Sequence, residues 1–135
     1  MYPTNMNRIA TALLLLLLLT LAIPAWAYQA TVVAVHEGDT LTLDTGQRVR
    51  LWGIDAPEKK SRKWAKQPGA DEARDFVAAM TLRQVVEVEQ RGRSHDRIVA
   101  VVTLAADGRN VSGELVYAGL AWVDPKSCKK KICDF

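Results

Sequence analysis

Between Gln29 and Ile54, apolar residues recur at the short spacings of strands. The run QATVVAVH, Gln29 to His36, is rich in valine and breaks at Glu37-Gly38, which predicts a first strand. Thr40 to Leu43 predicts a second, Asp44-Thr45-Gly46-Gln47 has the composition of a hairpin turn, and Arg48 to Ile54 predicts a third. Alternation along that third run puts Arg50, Trp52 and Ile54 on one face and Leu51, Gly53 and Asp55 on the other. Arg50 and Asp55 therefore share a site only if the strand bends or ends near Gly53, and glycine is the residue expected at such a break.

From Glu58 to Pro68 no apolar period is present, which predicts an exposed loop. Ala73, Phe76, Val77 and Met80 then fall at helical spacing within Gly69 to Leu82, with Asp71 and Glu72 in the first turn, so this stretch predicts an amphipathic helix. Gln84 to Glu89 and Ile98 to Leu104 predict a second hairpin, separated by the polar segment Gln90 to Asp96. Ala106-Asp107-Gly108-Arg109 reads as a turn, and Val111 to Ala118 as a short helix stopped by Gly119. Five strands with a helix between the third and fourth predict a mainly β fold with helices (α+β) built around a small closed barrel.

The chemistry concentrates between Gly38 and Glu58, in GDTLTLDTGQRVRLWGIDAPE. An acid follows a glycine at Asp39, a cation interrupts an apolar strand at Arg50, and two more acids, Asp55 and Glu58, flank Ala56-Pro57. Hard cations such as calcium take carboxylate and carbonyl oxygens, and a guanidinium holds two phosphate oxygens at once, so this set suits a phosphate-handling metal site. The same residues also read as turn acids and a surface arginine, and spacing alone leaves both readings open.

Composition adds three constraints. The first 27 residues hold one charge, Arg8, then a leucine run from Leu13 to Leu19 and a small-x-small ending at Ala25-Trp26-Ala27, the pattern of a secretory signal peptide. Cleavage after Ala27 predicts a periplasmic or secreted protein, residues 28–135 forming one domain; the apolar stretch Ile9 to Ala27 is also just long enough for an uncleaved membrane anchor. The net charge of +3 is too mild to argue for nucleic acid by itself, but Lys59, Lys60, Arg62, Lys63 and Lys66 border the acidic stretch, where they either attract a polyanion or line a solvated loop. Cys128 and Cys133, a close pair with no other thiols, read in an exported protein as a local disulfide.

The segments GDTLTL, VRLWGIDAPE, DRIVAVVTLAADGR and ELVYAGLAWV resemble, in this order, the staphylococcal nuclease-like family, the thermonucleases. The resemblance spans nearly all of Val32 to Val123, and VRLWGIDAPE is its most specific part. It implies a five-stranded OB-fold Greek-key barrel with two packed helices, and a calcium-dependent nuclease that hydrolyses phosphodiester bonds in DNA and RNA with little base specificity, leaving 3′-phosphate ends. Carried over by position, Asp39 and Asp55 match the calcium carboxylates, and Ala56 the residue that supplies a backbone carbonyl. Arg50 and Arg97 match the phosphate-binding arginines and Glu58 the catalytic glutamate. The lead-in to Arg97, Arg93-Ser94-His95-Asp96, departs from the family pattern, and His95 stands where an aromatic often touches the nucleotide. Lys59, Lys60, Trp64 and His95 are the candidate nucleic-acid contacts; Trp52 and Trp122, inside apolar runs, are expected to pack at the core or its rim. The chain stops at Phe135, where the family usually adds a long helix, so a C-terminally short domain is expected. A non-catalytic OB-type binding module and an inactive fragment are the alternatives; a binding module has no need of the full acid and arginine set.

Overall fold

The computed structural model describes residues 27–59 and 65–128. Among the described residues, seven strands and two helices follow in the order β1 (Ala27–Glu37), β2 (Thr40–Leu43), β3 (Arg48–Leu51), β4 (Ile54–Asp55), α1 (Ala70–Thr81), β5 (Val85–Ser94), β6 (Arg97–Leu104), α2 (Val111–Tyr117) and β7 (Trp122–Val123). Five of the strands close into a ring in the order β1, β2, β3, β6, β5, with β5 pairing back onto β1. All neighbours are antiparallel except β3 and β6, where Val49, Arg50 and Leu51 run parallel to Ile98, Val99 and Ala100. This is the five-stranded OB-type barrel expected from the sequence.

One strand serves two partners to close the ring. The first half of β1 pairs with β5 (Ala27 to Glu89 through Thr31 to Val85), and the second half pairs with β2 (Val32 to Leu43 through Glu37 to Thr40). Register shifts between Val32 and Ala34 and between Val35 and Glu37 bend the strand around this corner. The alternate side chains of each strand point inward: Val32, Leu41, Leu43, Val49, Leu51, Val86, Val88, Ile98, Ala100 and Val102 are all buried. Val77 of α1 and Leu115 of α2 join the same core, so both helices cap the barrel with their apolar faces.

Two elements differ from the pattern-based expectation. The third strand does not continue to Ile54: it stops at Leu51, turns at Trp52-Gly53 with Gly53 at φ 82°, and resumes as β4. The polar segment Gln90 to Asp96 is not a connecting loop, because β5 extends to Ser94 and only His95-Asp96 turn, with His95 at φ 57°. Gln90 to Ser94 are each exposed or half-buried although this segment pairs with β6, so polar side chains carry no penalty there while the backbone ladder is satisfied.

The two helices start and stop by different devices. Gly69, in the left-handed region, precedes α1 without a side-chain cap, whereas Asn110 caps α2 by accepting from the Gly113 N–H at 3.2 Å. Gly119, at φ 71°, ends α2: its N–H donates to the Val116 carbonyl, and the next N–H, of Leu120, to that of Leu115. The chain leaving this turn pairs as β7 with β4, joining Trp122 to Asp55 and Val123 to Ile54. Among the described residues no helix is long and apolar enough to cross a membrane. Residues 1–26 of the expected leader and the end of the chain beyond Cys128, including Cys133 of the expected disulfide, lie outside the described residues.

Candidate active site

The turn at Gly53 solves the facing problem that strict alternation poses. Arg50 leaves β3 before the turn and Asp55 enters β4 after it, and the reversal brings Arg50 Nη2 to 3.1 Å from Asp55 Oδ1. The other terminal nitrogen, Nη1, lies 3.1 Å from Asp39 Oδ2. One guanidinium thus bridges the two acids that the family resemblance assigns to a metal.

Asp39 is the buried member of the group. Its side chain is 3% exposed, against 26% for Arg50 and 42% for Asp55. A carboxylate so placed needs donors, and it has three: the Thr40 hydroxyl at 2.9 Å on Oδ1, the Ala56 N–H at 3.3 Å on Oδ2, and Arg50. No buried side-chain nitrogen or oxygen among the described residues lacks a partner. Burial lowers the affinity of the Arg50 guanidinium for its proton, but the charges of Asp39, Asp55 and Asp124 and the hydrogen bond to Asp55 outweigh it, so its pKa is raised. Arg50 is a fixed cation.

Arg97 reaches the same cluster from the start of β6, its Nη1 standing 3.5 Å from Thr40 Oγ1. The Thr40 hydroxyl donates onward to Asp39, so Arg97 is one hydroxyl removed from the buried acid. Glu58 sits exposed beyond Ala56 and Pro57, which are both buried. With Asp55, Gln67 and Trp122 it lines a pocket of ≈ 230 Å³. Two larger surface hollows lie around Ala27, Tyr28 and Gln90 to Gly92 and around Tyr28, Thr45 to Arg48 and Asp96. Neither contains Asp39, Asp55 or Glu58, and the smaller pocket is the one with chemistry in it.

The donor set fits a divalent cation in kind. Asp39 and Asp55 converge on one positive group, and both offer hard oxygen ligands. Among the described residues no three His, Cys, Asp or Glu side chains gather to hold an ion by themselves, so this pair needs main-chain or water oxygens to complete a shell. Ala56, whose N–H is already bound to Asp39, is the adjacent main-chain residue.

The remaining candidates separate. Lys59 is half-buried beside Glu58, and Lys60 and Trp64 lie outside the described residues. His95 is exposed at the β5–β6 turn, 3.4 Å from Ser94 Oγ, and is not among the residues that contact Asp39 or Asp55. His36 is exposed and hydrogen-bonds Thr42 at 2.8 Å, across the β1–β2 hairpin. Cys128 lies with Sγ 3.4 Å from the Gly53 carbonyl oxygen, at the turn that orients Arg50 and Asp55.

Trp122 corrects its expectation. It is 52% exposed, its strand partner is Asp55, and it lines the pocket, because both residues of the two-residue β7 are exposed while Ala121 just before the strand is buried. Trp52 is half-buried, with the Arg91 guanidinium 5.4 Å from its ring centroid. Gln67 and Asp124 were not legible as site residues. Gln67 binds both main-chain groups of Glu58, and Asp124, hydrogen-bonded through its N–H to the Gly53 carbonyl at 2.9 Å, acts on Arg50 through space.

A closed OB-type barrel with an acid–arginine centre beside the β3–β4 turn defines the class. Residues 48–133 match the family model described as staphylococcal nuclease homologue, and the chain belongs to that family. Protein ParB of Escherichia coli is 35% identical over 129 residues, an alignment covering 87% of this chain and 68% of that protein. An uncharacterized endonuclease of Escherichia coli is 41% identical over 97 residues, covering 68% of this chain and 58% of the relative. A further uncharacterized endonuclease, of Escherichia coli O157:H7, is 40% identical over 97 residues with the same coverage. The chain therefore spans about two thirds of the first relative and less of the other two.

Proposed function

We propose that this chain is a calcium-dependent nuclease that hydrolyses phosphodiester bonds in DNA and RNA with little base specificity and leaves 3′-phosphate ends. The observation that carries the reading is the single guanidinium held between Asp39 and Asp55, with Glu58 on the same pocket as Asp55. An acid pair, a fork-shaped cation and a free carboxylate are the parts that phosphodiester hydrolysis needs. A binding module needs only the cations.

Asp39, Asp55 and the Ala56 carbonyl are the residues that would hold calcium, which supplies positive charge next to the phosphate. Arg50 presents two adjacent N–H edges, now matched to two carboxylate oxygens and equally matched to two oxygens of a phosphate. Arg97 adds a second cation within reach of Thr40. Glu58 takes a proton from water, whose oxygen attacks phosphorus; the bond to the 5′ oxygen breaks, and that oxygen leaves with the electron pair and acquires a proton. The products are a 3′-phosphate and a 5′-hydroxyl. Loss of one preorganised charge at such a centre costs about a hundredfold to a thousandfold in rate.

The reading extends to location: export by the leader with cleavage after Ala27 gives a periplasmic or secreted enzyme, and retention of the leader gives an anchored one. The test is hydrolysis of single-stranded DNA by the chain from Tyr28 onward, with calcium and then with calcium chelated. Cleavage only with calcium, giving ends that a polynucleotide kinase labels without prior phosphatase treatment, is expected. Equal cleavage in chelator removes the calcium assignment, and DNA binding without cleavage under either condition replaces the enzyme by a binding module.

A further inference from the structure

Glu58 is exposed, yet its main chain is held from both sides by one residue. The Glu58 N–H donates to Gln67 Oε1 at 2.8 Å, and the Glu58 carbonyl accepts from the Gln67 N–H at 2.9 Å. The Gln67 side chain stands in for a backbone carbonyl and completes what would otherwise be half of an antiparallel bridge. On its other side, the Gln67 carbonyl accepts from Ala70 N–H at 3.3 Å, at the first residue of α1. Pro57 before Glu58 is buried and Pro68 after Gln67 has a fixed φ, so both chains of this bridge are stiff next to it. Glu58 is thereby tied to a helix that packs on the barrel.

We propose that Gln67 is the positioning residue for Glu58: its side-chain carbonyl fixes the Glu58 backbone, and with it the direction in which the carboxylate enters the pocket shared with Asp55. The proposal rests on the nuclease reading above, in which Glu58 acts on the attacking water. Asn at this position is one methylene too short to make the bond, and Met matches the length without an acceptor. Glu retains an acceptor oxygen. Because Glu58 N–H faces solvent when released, water replaces the lost bond and the fold hardly notices, whereas a base displaced by about 1 Å loses on the order of a hundredfold in rate.

The experiment compares the wild-type chain with Gln67→Met and Gln67→Glu in steady-state hydrolysis of single-stranded DNA with calcium present. Amide hydrogen exchange at Glu58 and thermal unfolding are followed alongside. Expected for Gln67→Met is a fall in kcat of about tenfold to a hundredfold with KM within about twofold, loss of Glu58 amide protection and an unchanged unfolding midpoint. Gln67→Glu is expected to keep the amide protected and to recover most of kcat. Three results overturn the proposal: a Gln67→Met variant with wild-type kcat, a variant in which KM carries the loss, or a Glu58 amide that exchanges equally fast in all three proteins. An inactive wild-type chain overturns the nuclease reading instead, and the exchange rates then report on the clamp by themselves.

Discussion

Replacing Arg50 by Gln separates two roles that one guanidinium plays. In the structure Arg50 neutralises Asp39 and Asp55 while standing where a divalent ion bound to the same acids would have to compete with it. Removing one partner of a buried pair costs about 3–5 kcal/mol when the remaining charge is left bare. Asp39 keeps the Thr40 hydroxyl and the Ala56 N–H, and Asp55 is partly solvated, so the expected loss is smaller, about 2 kcal/mol. Calcium should then rescue the variant, since an ion at 100 times its dissociation constant adds about 2.7 kcal/mol to the folded state. If calcium takes the same two acids, as proposed above, it would compete with the guanidinium in the wild type, so the stabilisation at equal calcium is expected to be smaller. Urea unfolding at neutral pH, with and without calcium, measures all four quantities. Equal stabilisation of wild type and Arg50→Gln by calcium would refute the competition, and no loss of stability without calcium would refute the account of Asp39.

Three shorter predictions follow from the same geometry. Glu58→Gln should lower kcat about a hundredfold or more while leaving DNA affinity, measured by fluorescence anisotropy, nearly unchanged; equal losses in both would remove it as the base. Gly38→Ala places a Cβ 2.7 Å from Ala73 Cβ and 2.9 Å from Ala56 Cβ, so α1 and the loop carrying Ala56 must separate. It should destabilise by about 1–3 kcal/mol in urea, and an unaltered midpoint would mean that the helix yields freely. Trp122→Ala should raise KM for single-stranded DNA about tenfold and abolish a nucleotide-induced change in tryptophan fluorescence, because the half-exposed indole borders the pocket with Asp55 and Glu58; unchanged KM and fluorescence would show that the ring serves only β7.

What the sequence discloses here follows from what repeats along a chain. Strand alternation and helical spacing are periodic, so β1, β2, the start of β3, α1 and α2 could all be read within a residue or two of their ends. Gly53 was legible for a different reason: the requirement that Arg50 and Asp55 meet could be satisfied only by a break, and one glycine stood between them. The extension of β5 through Arg91 and Arg93 was hidden because its own side chains are exposed or half-buried and need no apolar alternation, and its ladder with β6 is made by main-chain groups that every residue carries. The acids and arginines were visible as residue types in a family-like order, whereas their meeting depends on the turn at Gly53 and on the pairing of β7 with β4, contacts between segments far apart in sequence. Gln67 lies furthest from any pattern. A lone amide before a proline has no period and no charge to mark it, and only closure of the chain onto Glu58 turns its side chain into part of the backbone ladder. Residues of this kind come to light through the hydrogen-bond accounting of a neighbour: the question that finds Gln67 is where the N–H of the exposed Glu58 goes.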